Sequence, residues 1–233
     1  YNSRTLFKRK KQMKYHKINA LYNRWRKDLD PIETLPLNKK YGDFKDGEFA
    51  QSEFEYLFNN QWIWSEKLDG TNIRIYANWS EQYGIHTFEV KGKDENSSTP
   101  KDLLEWIKNW IYENSQIVSD LFAAEDIILY GEGVGTKIQK VGHNFGNQHF
   151  KLFDVYINGF WLQKDDVLDI ANKLSLDTPI TWIGTIQDAI DKVKTLPVSS
   201  FGNFTIEGYV GQPIVRLNDA KQKRITTKIK VCD

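Results

Sequence analysis

Glu66-Lys67-Leu68-Asp69-Gly70-Thr71-Asn72 places a lysine one residue after an acid and two residues before an Asp-Gly turn. An amine presented beside such a turn can be aimed at an electrophile such as a phosphate, although Asp69 also has a plain reading as the turn residue preceding Gly70. Outward from this stretch, four further points follow in order: Tyr130-Gly131-Glu132-Gly133, Leu152-Phe153-Asp154, Glu207-Gly208-Tyr209-Val210 and Lys228-Ile229-Lys230. The text that carries them alternates between apolar and polar residues, as at Ile73 and Ile75, which predicts sheets with one buried face. Residues 61–67, 72–79, 87–92, 127–132, 149–161, 204–210, 214–217 and 224–231 read as strands.

Helices interrupt them. Thr99 is expected to cap one with Pro100 at its first position, and Leu103, Leu104, Ile107, Trp110 and Ile111 mark its apolar face. A second is expected over residues 164–174. A third starts at a Thr185 cap and presents Ile186, Ala189, Ile190 and Val193. Strands and helices without regular alternation indicate an α+β fold. No GxGxxG or Walker loop occurs, so a Rossmann or P-loop nucleotide site is not expected.

The 233 residues suffice for one large domain, with 40% hydrophobic and 27% charged residues as in ordinary globular proteins. The expected division is a basic segment over 1–50, packed on or extending from a domain over 51–233. No apolar run nears the roughly 20 residues that span a bilayer, and no membrane partner is expected. The single Cys232 excludes an internal disulfide, there is no zinc-ligand spacing, and the start lacks a signal-peptide core. A cytoplasmic location is the expectation. Net charge is only +1, yet the first 27 residues hold ten lysines and arginines and no acid. Tyr15, Tyr22 and Trp25 interleave with those charges, a composition that suits either a nucleic-acid arm or a solvated helix packing Ile18, Leu21, Tyr22 and Trp25 on the domain.

Lysine attacks only when unprotonated, so something near Lys67 has to favour the neutral amine. Lys228 and Lys230 lie two apart in an apolar-alternating run and would share one strand face. If that face meets Lys67, like charge favours the free amine and attracts phosphates; the other reading is a solvent-facing edge. Glu207, between Ile206 and Val210, reads as part of a central strand, where a carboxylate needs either a divalent metal or a lysine partner. Glu132 has the same two readings. Phe153, after Lys151 and Leu152, reads on its own as core, and Asp154 as a further site acid or a partner for a lysine.

Together the five points resemble the covalent nucleotidyltransferase superfamily of polynucleotide ligases and capping enzymes. Asn72, with Trp62-Ile63-Trp64-Ser65 and Gly135-Thr136-Lys137-Ile138-Gln139, is similar to bacteriophage-type ATP-dependent RNA ligases of the RNA-repair class, over Lys17 to the C-terminus. The resemblance implies a ligase-type adenylation domain, with antiparallel sheets flanked by helices and the nucleotide in a groove between them. It implies Lys67 as the adenylated nucleophile, Glu66 at the adenine edge, Asn72 near phosphates or sugar, Glu132 on the ribose and Phe153 stacked on adenine. Glu207 becomes the metal-associated acid, with Glu132 a second metal candidate acting through water, and Lys228 and Lys230 the phosphate and leaving-group cations. ATP and Mg or Mn are the implied cofactors, and RNA with 5′-phosphate and 3′-hydroxyl ends the implied partner of a monomer. Many relatives carry a Gly-Arg pair where this chain has Gly92-Lys93, so Lys93 would bind phosphate as a point charge without a bidentate grip. With three residues after Lys230, no C-terminal OB domain is expected, which disfavours DNA nick ligases and capping-type enzymes as the alternatives. A non-catalytic nucleic-acid-binding relative is the third alternative, against which the retained lysine and acids speak.

Overall fold

Between Thr71 and Ser80, Ile73, Ile75 and Ala77 point alternately into the main core, and Arg74 and Tyr76 between them are buried too, so this strand is covered on both faces where one buried face was expected. The computed structural model describes residues 14–94 and 97–232, with backbone only at Asp46. In chain order the strands are β1 (Asn19–Ala20), β2 (Tyr22–Arg24), β3 (Phe44–Phe49), β4 (Trp62–Lys67), β5 (Thr71–Ser80), β6 (Ile85–Lys91), β7 (Ile127–Val134), β8 (His149–Ile157), β9 (Phe160–Trp161), β10 (Thr181–Gly184), β11 (Gly208–Pro213) and β12 (Thr227–Lys230). Helices occupy Ser52–Tyr56, Lys101–Phe122, Lys164–Lys173 and Ile186–Lys194. The fold is α+β, as the irregular mixture of elements predicted.

The chain divides into two compact units. One takes Lys17–Leu68 and the segment from Ile180 onward; the other takes Asp69–Pro179 and the segment ending at His16. The first unit is built on a five-stranded sheet of order β1-β12-β11-β4-β10, antiparallel except for the β1–β12 pair. Trp62, Trp64, Tyr209 and Ile229 cover its inner face and pack on Ile186, Ala189 and Val193 of helix Ile186–Lys194. That helix has the expected cap: Thr185 Oγ1 accepts from the Asp188 amide at 3.1 Å while the Asp188 carboxylate accepts from the Thr185 amide at 2.8 Å.

The second unit has the sheet β6-β5-β7-β8-β9, all antiparallel. Its core face meets Leu103, Ile107, Trp110 and Val118 of helix Lys101–Phe122. Gly131 and Gly133 are required here by space. A Cβ on Gly131 would lie 2.3 Å from the Phe150 ring, and one on Gly133 would lie 2.3 Å from Leu103 Cδ2. The two glycines therefore let the helix and Phe150 close down on β7, while Glu132 between them faces the other way.

Several expectations are corrected. The run 149–161 is two strands, because Asn158 (φ 47°) and Gly159 (φ 94°) make a two-residue turn that pairs Ile157 with Phe160. Residues 214–217 form no strand. β11 begins at Gly208, so Glu207 immediately precedes the central strand of its sheet. Thr99 caps nothing: Pro100 is the residue before helix Lys101–Phe122, and no side chain bonds that end. The basic segment is described from Lys14 onward, and its first thirteen residues lie outside the described residues. Among the described residues no helix is long and apolar enough to cross a membrane.

Candidate functional site

Strand register brings three of the expected residues into one place. Gly208 on β11 is the partner of Lys67 on β4 and of Lys230 on β12, and Val210 is the partner of Ser65 and Lys228. Residues opposite one another in an antiparallel sheet share a face, so Lys67, Lys228 and Lys230 all project from the same one. β12 lies between β1 and β11 and is not an edge, which removes the solvent-edge reading of its lysines. Gly208 itself has no room for a side chain: a Cβ there would lie 2.1 Å from Ile229 O and 2.6 Å from Lys230 Cα.

Glu207 sits at the head of this row. Its Oε2 is 2.5 Å from Lys67 Nζ and its Oε1 is 2.6 Å from Lys230 Nζ, one ammonium on each oxygen. Burial pushes the Glu207 carboxyl up, but the hydrogen bonds and charges of Lys230 and Lys67 outweigh it and hold the group below its ordinary value. The carboxylate thus neutralises two cations that would otherwise repel. Among the described residues no group of three or more His, Cys, Asp or Glu could hold a metal ion. A caged protein metal site is therefore not built here; a single carboxylate of this kind fits an ion carried on nucleotide phosphates, which keeps most of its own waters.

Glu66 faces the other way. Its strand partner is Tyr209, itself opposite Ile229, so Glu66 belongs to the core row of the sheet and is only 7% exposed. Its carboxylate accepts from Ser199 Oγ at 2.5 Å, Ser200 N at 2.9 Å and Ser200 Oγ at 2.8 Å. Burial, then the Glu66 charge, raise the neighbouring Tyr209 phenol. Neither serine was singled out from sequence; the signal that existed was a buried carboxylate on an apolar strand face, which has to find donors.

In the other unit, Asn72 and Glu132 are direct partners on β5 and β7. Phe153 and Asp154 are placed by a bulge: Leu152 pairs with Gly131 and Asp154 with Tyr130, leaving Phe153 as the extra residue. Both therefore stand on the face of Tyr130 and Glu132, opposite the core. There Phe153 meets Tyr15 edge-on, with ring centres 5.1 Å apart at 75°, in a cluster with Tyr76, Tyr130, Tyr156 and Trp161. Tyr15 donates to Asp154 at 3.0 Å. Burial raises the Tyr130 phenol strongly, so it stays neutral. Lys93 is exposed and lies two residues past the end of the β5–β6 ladder, which closes at the Arg74–Lys91 pair. The arginine at this edge is Arg74, 1% exposed, which donates twice to Gly92 O at 3.0 and 2.7 Å. Sequence reasoning missed it because a charged residue inside an alternating strand reads as solvent-facing.

Among curated proteins, none matches the chain. Solved structures of Naegleria gruberi RNA ligase do match in fold. One mutant of it with ATP and Mn is 17% identical, with a TM-score of 0.57, over 77% of this chain and 52% of that one. The same ligase with PPi is 18% identical, with a TM-score of 0.55, over 77% and 52%. The chain thus spans about half the length of the structures it matches. The family model described as RNA ligase matches residues 60–230, most of the chain and all five points, and the chain belongs to the RNA ligase family.

Proposed function

We propose that this chain performs ATP-dependent RNA ligation, joining an RNA 3′-hydroxyl to an RNA 5′-phosphate through lysyl-AMP. The observation that carries the reading is the row in which Lys67 and Lys230 hold one carboxylate from either side of Gly208. Released from its ion pair and unprotonated, Lys67 Nζ bonds to the α-phosphorus of ATP as the bond to the bridging oxygen breaks and pyrophosphate leaves. An oxygen of the RNA 5′-phosphate then displaces the lysine, which recovers its amine. The 3′-hydroxyl finally displaces AMP. Each step moves charge near one phosphate, so fixed cations such as Lys228 and Lys230 supply what the chemistry asks for.

A bound Mg or Mn ion would neutralise phosphate charge, with Glu207 the residue to hold it and Glu132 a second candidate through water. In the other unit Phe153 offers a ring for adenine, with Glu132 for the ribose, Asn72 near sugar or phosphate and Lys93 for phosphate. Glu66, its carboxylate held by Ser199 and Ser200, serves the shape of the strand that presents Lys67. The text around Lys67 and after Glu132 supports the finer reading of a bacteriophage-type RNA-repair ligase, acting as a monomer in the cytoplasm, in the host's if the source is viral.

The test is transfer of label from α-labelled ATP to protein. Wild type is expected to take it up and Lys67→Ala to take up none; labelling of the variant removes Lys67 as nucleophile. Replacing ATP by GTP, and RNA ends by DNA ends, separates this reading from capping and nick sealing.

A further inference from the structure

Within the Lys17–Leu68 and Ile180-onward unit lies a cleft of about 630 Å³ that shares Lys230, and no other residue of the proposed adenylation chemistry, with the lysine face. Leu21, Ile190, Val193 and Ile229 form apolar lining, and the hairpin β2–β3 contributes Tyr22 and Phe44. Arg24, Lys39, Lys194 and Lys230 also line it, against the single carboxylate of Asp43. The cations are differently anchored. Arg24 lies 4.2 Å over the Phe44 ring and donates to Gly42 O, which fixes its guanidinium on the wall. Lys194 is exposed and bridges to the similarly exposed Asp191, a pair that a stronger anion exchanges cheaply. Asp43 is turned to its own loop, accepting from the Lys40 amide at 3.0 Å.

We propose that this cleft seats an RNA strand. Its phosphates would lie along Arg24, Lys39 and Lys194, and a base would rest against the aromatic hairpin wall. Charge complementarity selects a polyanion, and aromatic rings beside cations suit the alternation of base and phosphate in a single strand. Lys230 gives the reason for this place: it lines the cleft and holds Glu207 at 2.6 Å, and the other oxygen of that carboxylate holds Lys67, so one shared carboxylate joins the cleft to the nucleophile. The proposal rests on the RNA ligase reading and adds where the polynucleotide runs.

Cys232 makes the cleft directly observable, because it lines the cavity, is exposed and is the only cysteine of the chain. The rate of its alkylation by iodoacetamide is measured alone, with a 5′-phosphorylated RNA oligonucleotide, with ATP and with inorganic pyrophosphate. RNA is expected to slow the reaction several-fold, and the two small anions, which engage only Lys230 of the lining, to slow it far less. In the double variant Lys39→Glu, Lys194→Glu, that protection should be lost, and the slope of log affinity for RNA against log salt should fall by about 1.4, roughly 0.7 per phosphate contact. Lysyl-AMP formation with ATP alone, in the same samples, reports that the variant is folded. Unchanged protection and slope in the variant, or protection by pyrophosphate alone, overturns the proposal. Lysyl-AMP missing from the wild type sinks the ligase reading instead, and protection of Cys232 by RNA then decides the cleft on its own.

Discussion

The face that carries Lys67 and the face that carries Phe153 are each the side of a sheet turned away from the main helix packed on it, yet they are made by opposite means. At Lys67 the ladder is regular, and chemistry comes from register: β4, β11 and β12 align so that two lysines flank a glycine and share one carboxylate. At Phe153 the ladder is broken, and the bulge turns two consecutive side chains, Phe153 and Asp154, to the same side. A regular sheet holds charges at fixed spacing, which suits groups that handle phosphates. A bulged strand can add a ring to a face where alternation would allow one residue in two, which suits recognition of a flat base.

If register is what assembles the lysine face, the most damaging small change is at its centre. Gly208→Ala adds a methyl where 2.1 Å separates the Cβ position from Ile229 O, so β11 and β12 have to part. Overpacking of this kind costs about 1–3 kcal/mol. Denaturant unfolding should show that loss together with loss of lysyl-AMP formation, whereas Gly70→Ala, though it too would crowd Gly133 O, leaves the Lys67–Gly208–Lys230 row intact. Full adenylation by a destabilised Gly208→Ala protein would break the link between register and chemistry.

The same contrast explains what could be read from sequence. The spacing Lys228-Ile229-Lys230 within an alternating run sufficed to place both lysines on one face, because period 2 is a local property of a strand. The Thr185 cap was legible for the same reason: donor and acceptor lie three residues apart. That Lys67 meets Glu207 depends on a pairing 140 residues away, which no local pattern encodes; only the family resemblance supplied it. The bulge at Phe153 is marked only by a slip of phase, the core positions Phe150, Leu152 and Val155 being spaced two and then three apart, which a reading of 149–161 as one strand passes over. The Asn158-Gly159 turn was marked, by a dipeptide suited to positive φ, and was overlooked inside a run that looked unbroken. Glu66, expected at the adenine edge from its place next to the nucleophile, lies in the core row, as alternation alone puts it.

On the aromatic face the expected effect spares stability and falls on binding alone. Phe153→Ala removes a ring that meets Tyr15 and stands on the Glu132 side of the sheet, and should weaken ATP binding by about 1–3 kcal/mol, the range for one base on one aromatic. Phe153→Tyr keeps the ring and should stay near wild type. ATP titration of the two variants separates stacking from packing, since a core role would show as equal losses of stability with ATP affinity unchanged.

The smallest effect tests how the lysine face is held before any nucleotide arrives. Glu207 has a folded-state affinity for protons lower than its ordinary value of 4.5, because Lys230 and Lys67 prefer its charged form. Below that value the unfolded chain binds the proton more readily than the folded one, so stability rises with pH through this window. The stabilisation is complete above about pH 4.5 and is lost as pH falls through the lower folded value. Glu207→Gln takes away the charge that Lys67 and Lys230 share across Gly208. Urea unfolding from pH 3 to 7 should show the variant less stable at neutral pH and the two curves closing as pH falls. Asp28, Asp30, Asp188 and Asp191, also held below their ordinary values, keep part of the acid limb in both proteins. Curves that run parallel throughout would mean that the two ion pairs add nothing to the fold, and that register alone, without the shared carboxylate, keeps the lysines in place.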